Sequence, residues 1–184
     1  MHCLLKLVAP ILVLALGASA MAQGPKYGRG KAPTAEEIRA ADISIGPAGK
    51  ELPSGSGTAK QGADIYTEKC VSCHGVNGEG NKVIGAPRLL GGTGANVGNY
   101  WPFATTIYDW INRAMPFDKP GSLTPNEVYS LTAFLLYRSN IIQESTVIDA
   151  RSLPKIEMPN RNGFIPLPWP VYPYARPRPF GLYP

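Results

Sequence analysis

The sequence predicts an all-α domain of three to five helices, with an extended arm before it and a proline-rich tail after it. Three observations carry this. Apolar residues recur at helical spacing in separate stretches, two of which open on a capping residue. One Cys-x-x-Cys-His pentapeptide follows the first of them. Proline and glycine gather at both flanks, and nine of the last 31 residues are proline.

Residues 1–22 stand apart from the fold. Lys6 gives a basic start, and Leu7–Ala22 is an uncharged stretch of 16 residues rich in Leu, Val and Ala. It closes on Ala18-Ser19-Ala20 and Ala20-Met21-Ala22, two small-residue patterns that suit cleavage of a secretory signal peptide. Cleavage after Ala22 is the preferred expectation, with Ala20 second. The stretch is short of the ~20 residues that a spanning helix needs. Cys3 precedes the apolar run, which argues against a lipoprotein. The expectation is export to the periplasm, with no later segment spanning a membrane. Formal net charge is +5 and contains no Lys/Arg run. That excludes a nucleic-acid footprint and biases encounters only weakly toward acidic partners.

Residues 23–57 read as an extended arm ending in Leu52-Pro-Ser-Gly-Ser-Gly57. Within it Thr34 and Glu37 are spaced as a capping box over a short helix, Ala35 to Ala41. A flexible spacer and an ordered arm packed on a partner or on the domain both fit. The domain proper is expected over 58–150. Its first helix runs from about Thr58 to Lys69, with Thr58 and Gln61 as the capping pair. Ala59, Gly62, Ala63, Tyr66 and Thr67 share one face, small enough for another helix to cross closely.

Three cysteines are present, and Cys3 belongs to the leader. The remaining two lie in Cys70-Val-Ser-Cys73-His74, the attachment pattern for c-type haem. The two intervening residues space the thiols to match the two haem vinyl groups. The histidine after the second cysteine lies where an imidazole binds iron as proximal ligand. A thioredoxin-like pair expects a βαβ setting, which this chain lacks. A zinc site wants four ligands, and beyond the leader only Cys70, Cys73 and His74 are available. A structural disulfide leaves His74 unexplained.

His2 lies in the leader, so a second histidine ligand is excluded. Two methionines remain, Met115 and Met158. Met115 stands in Arg-Ala-Met-Pro-Phe, 41 residues after His74, between a helix and a proline. It is the preferred sixth ligand; Met158 lies beyond the last helix. Core filling and an open sixth site are the competing readings. A thioether opposite histidine raises the reduction potential and suits an electron carrier.

After His74 a polar glycine loop, 75–80, returns the chain around the haem edge. Pro87 is the candidate to offer its carbonyl to the other ring nitrogen of His74, fixing the imidazole plane. Arg88 suits either a haem propionate or plain solvation. Tyr100, Trp101 and Phe103 suit either a haem wall or ordinary packing. Ile107, Trp110, Ile111 and Ala114 then recur at helical spacing. In the last helix Thr124 caps, Pro125 takes the first turn, and Glu127 completes the box. Val128, Leu131, Thr132, Leu135 and Leu136 form its apolar stripe. The tail, 151–184, interleaves proline with Trp169, Tyr172, Tyr174, Phe180 and Tyr183. It suits docking on a partner subunit or a solvated extension.

Tyr100 to Phe117, Gly121 to Leu136, and the flanking Pro53–Thr58 and Leu153–Phe164 together resemble the cytochrome subunits of bacterial sulfite and sulfane dehydrogenases. The likeness covers roughly residues 35–165 and is carried above all by Arg113-Ala-Met-Pro-Phe117. It implies a class I cytochrome c fold around one covalent haem c, with Cys70, Cys73, His74 and Met115 as attachment and axial positions. It also implies a molybdopterin partner of the sulfite oxidase type that passes electrons singly to this chain. On that view the chain is a non-catalytic redox subunit, with a downstream cytochrome or oxidase as acceptor. A free periplasmic shuttle is the alternative, and a haem sensor or peroxidase a third class. Only one haem motif is present, where some members of the sulfane group carry two, and the ending after 165 has no counterpart among those subunits.

Overall fold

A computed structural model describes residues 29–164. The leader and the proline–aromatic ending lie outside the described residues. The chain divides into two units at Asp42/Ile43.

In the first unit, helix α1 spans Ala35–Ala41. Thr34 caps it, accepting from the Glu37 N–H, while the Glu37 carboxylate accepts from the Thr34 N–H at 2.7 Å. No residue of α1 is buried. The local cap therefore defines this helix, and packing does not.

The second unit is mostly helical. Strand β1 (Ser56–Thr58) leads directly into helix α2 (Ala59–Lys69), and a single turn, α3, follows over Val71–His74. Helices α4 (Val97–Tyr100), α5 (Ala104–Ala114) and α6 (Pro125–Arg138) come next. Strand β2 (Val147–Asp149) pairs antiparallel with β1, Gly57 facing Ile148. A 3₁₀ turn over Leu153–Lys155 ends the regular structure among the described residues.

Gly57 and Gly62 explain how α2 and β1 reach α6. A Cβ at either would overlap the backbone of Ser130. Only glycine lets the chains approach that closely, so the small-residue face of α2 becomes a helix crossing. Tyr66, one turn on, then lays its ring against Phe134 at 4.9 Å. Helix α6 is the axis of the unit, and it is buried on all sides. Every residue from Val128 to Leu136 is buried, which corrects the expectation of a stripe. Helices α2, α4 and α5 and both strands pack around it, so Ser130 and Thr132 turn their hydroxyls back onto the carbonyls of Asn126 and Val128.

The segments flanking 58–150 join this core. Ile45 and Leu52 are buried, and the Ile45 N–H donates to Asp109 of α5 at 2.8 Å. Past β2, Leu153 and Met158 are buried as well. Among the described residues no helix is long and apolar enough to cross a membrane.

Candidate haem site

Cys70 is the hinge between two helices, closing α2 and opening α3. The His74 N–H donates to the Cys70 carbonyl at 2.9 Å, so α3 is one true helical turn. Positions i, i+3 and i+4 of a turn share a face. Cys70, Cys73 and His74 occupy those positions, which is why this spacing presents two thiols and an imidazole together. Gly75, at φ 79°, ends the turn, a left-handed conformation suited to glycine. No disulfide joins the two cysteines. Before any attachment, burial, with Cys73 close by, pushes the Cys70 thiol up to about 11.

His74 is buried, and its Nδ1 lies 3.0 Å from the Pro87 carbonyl. A carbonyl can only accept, so Nδ1 carries a proton, and in the neutral ring Nε2 then holds the lone pair. The loop between them is held by its own backbone. Gly80 N–H donates to the His74 carbonyl at 2.8 Å, and the Gly78 carbonyl accepts from Leu89 at 2.8 Å and Leu90 at 3.1 Å.

Met115 is the C-cap residue of α5, in extended backbone, with its N–H donating to the Ile111 carbonyl at 3.1 Å. Its side chain is partly buried against the core, and the peptide to Pro116 is cis. Met158 is 2% exposed and sits in the apolar core. The sequence alone placed it in a proline-rich extension; the anchoring of 153–161 on the domain puts it inside.

The remaining predicted residues are spread over other contacts. Arg88 is exposed and donates to the Leu90 carbonyl at 3.5 Å. Tyr100 is about half exposed; its ring meets Phe164 edge-on at 5.4 Å, and its carbonyl accepts from Asn160. Trp101 is partly buried and faces Trp110 edge-on at 6.3 Å. Phe103 carries the Arg161 guanidinium over its ring at 4.2 Å. Trp110, expected from its spacing to join Ile107 and Ile111 in the core, is 49% exposed while those two are buried. Residue 110 falls one position off the α5 face that meets α6.

Several site neighbours escaped the sequence. Tyr66 is 2% exposed and donates its hydroxyl to the Gly75 carbonyl at 2.8 Å. Burial, reinforced by Cys70 and Glu79, pushes it up to about 12. Its position four residues before Cys70 was the available signal. Lys69 pairs with Glu127 at 2.8 Å, tying the end of α2 to the start of α6. Asp109 is buried and grips Arg113 through both carboxylate oxygens while accepting from Ile45.

The donor set fits covalent haem. Two cysteine sulfurs that no disulfide joins and an imidazole with one nitrogen already engaged stand on a single turn. Among the described residues no group of three His, Cys, Asp or Glu is gathered as a metal site in the manner zinc requires.

The comparisons agree. Residues 57–135 match the family model described as cytochrome c oxidase, cbb3-type, subunit III. The chain is 32% identical over 83 residues to the cbb3-type cytochrome c oxidase subunit FixP of Azorhizobium caulinodans, covering 45% of this chain and 28% of that one. It is 32% identical over 102 residues to the thiosulfate dehydrogenase of Stutzerimonas stutzeri, covering 48% and 33%. The matches thus span about a third or less of these curated relatives. The crystal structure of the sulfane dehydrogenase SoxCD from Paracoccus pantotrophus superposes with a TM-score of 0.67 at 34% identity, covering 78% of this chain and 73% of that one. The chain belongs to the class I c-type cytochromes, electron-transport proteins that carry covalent haem c, and within them it is related to the cytochromes of sulfur dehydrogenases.

Proposed function

We propose that this chain is the electron-accepting cytochrome subunit of a molybdenum-cofactor dehydrogenase that oxidises a reduced sulfur compound. The observation that supports it most is the likeness to sulfane dehydrogenase across 78% of the chain at 34% identity. In this reading Cys70 and Cys73 would form the thioethers, and His74 Nε2 and Met115 would hold the iron. Haem c, when bound, supplies a one-electron iron couple. The protein's own residues do the rest. Pro87 holds the His74 proton on Nδ1, which fixes the ring plane and raises the basicity of Nε2. The apolar core around α6 excludes water from the inner side of the site. Arg88, exposed beside Leu90, would offer its charge to a propionate, and Tyr100 and Trp101 would pack beside the haem. The chain itself binds no sulfur substrate. Residues 1–22 direct it to the periplasm, and the ending from residue 165 onward helps it dock.

The test is affinity purification of the full chain from its native host. Stoichiometric recovery of a molybdenum-cofactor protein, and haem reduction when the sulfur substrate is added, are expected. A haem protein recovered alone would refute the subunit reading.

The match to the cbb3-type oxidase subunit FixP favours a second reading, a shuttle that delivers electrons to an oxidase. Reduction of a terminal oxidase by the isolated chain, with no bound partner, would select it. Tight carbon monoxide binding to the reduced protein would instead point to a sensor or peroxidase.

A further inference from the structure

We infer that Tyr66 is a positioning residue for the axial histidine, acting through the loop that holds the His74 ring. This rests on the reading of His74 as the proximal ligand. Tyr66 is 2% exposed and stacks, tilted, on Phe134 of α6 at 4.9 Å. Packing there needs only a ring. The hydroxyl is an additional feature, and most buried hydroxyls take an acceptor; Tyr108, whose buried hydroxyl has none among the described residues, shows that the bond is not automatic. The one it takes, at 2.8 Å, is the carbonyl of Gly75, the residue immediately after His74.

From Gly75 the hydrogen bonds form a closed circuit. Gly78 N–H donates to the same Gly75 carbonyl at 3.2 Å. The Gly78 carbonyl accepts from Leu89 and Leu90, which draws in the segment carrying Pro87. The Pro87 carbonyl then takes the Nδ1 proton of His74 at 3.0 Å. Gly75 and Gly78 stand at φ 79° and 69°. Glycine is the residue least able to fix its own backbone, so a side-chain tie from outside adds to the backbone bonds that hold this loop. Tyr66 supplies one from the close crossing of α2 on α6. The plane of the imidazole is in this way referred to the helix core, and groups that orient a metal ligand also tune the metal.

The experiment uses the holoprotein. Tyr66→Phe keeps the ring and its stacking and removes one donor. The expected result is unchanged covalent haem content, an altered pattern of haem-methyl proton shifts in the ferric NMR spectrum, which reports the axial-ligand plane, and a shifted midpoint potential. Phe134→Leu is the packing control: Tm falls while the methyl pattern stays. A wild-type methyl pattern and potential in Tyr66→Phe, whatever its Tm, would overturn the inference. If that variant does not mature, wild type suffices. A Tyr66 hydroxyl proton that exchanges slowly with solvent supports the tie, and fast exchange overturns it. Failure of the underlying reading is seen separately, as pigment that acidified acetone extracts from denatured wild-type protein.

Discussion

Met115 is where the proposed function meets a single side chain. Met115→Ala is expected to remove the ferric sulfur-to-iron charge-transfer band and lower the midpoint potential, because a thioether opposite histidine raises it. Persistence of the band would transfer the role to another group, and Met158, buried in the core, would be tested next. Gly62 makes the sharpest stability claim at this scale. A Cβ there collides with the Ser130 carbonyl, and neither backbone has room to give. Gly62→Ala should destabilise by about 1–3 kcal/mol, the usual range for overpacking, read from denaturant midpoints at constant slope. An unchanged midpoint would mean that α2 and α6 cross less tightly than described.

Between elements, Glu127 does two jobs. It closes the capping box of α6, accepting from Thr124 N–H at 2.8 Å, and it receives Lys69 from the end of α2. The Lys69 ammonium first, then the Thr124 backbone, hold its carboxyl at about 2, against an ordinary 4.5. The sign follows from this depression. Stability from the charged form is complete above the ordinary value and is lost as pH falls from 4.5 toward about 2. Thermal unfolding of Glu127→Gln should therefore fall less steeply with acid than wild type over that window. Parallel pH profiles would show that the pair contributes nothing there. Thr124→Ala removes the cap itself and should cost about 1 kcal/mol, seen as a lower Tm with the haem spectrum intact.

At the scale of the molecule, the packed unit begins near Ile43 and includes the turn at Leu153 and the anchor at Met158. Residues 165–184 lie outside the described part. If they serve docking, a chain truncated after Phe164 should keep its haem and its Tm while recovering less partner on affinity purification. Equal recovery would leave the ending without that role.

Local chemistry wrote much of this protein into its sequence. The capping pairs Thr34/Glu37, Thr58/Gln61 and Thr124/Glu127 are each satisfied within four residues, so the starts of those three helices were legible to the residue, while α4, boxed by Asn96 and Asn99, was not foreseen. The same holds for Cys70, Cys73 and His74, whose shared face follows from the period of one helical turn. Tertiary structure alone decided what depends on partners distant in the chain. The β1–β2 pair joins residues about 90 positions apart, and such short strands carry little local pattern. Burial of α6 on every side, of Met158 in the core, and of Asp109 beneath Ile45 all depend on which segments come to lie across them. Helical period shows which residues share a face, but not how many neighbours cover it.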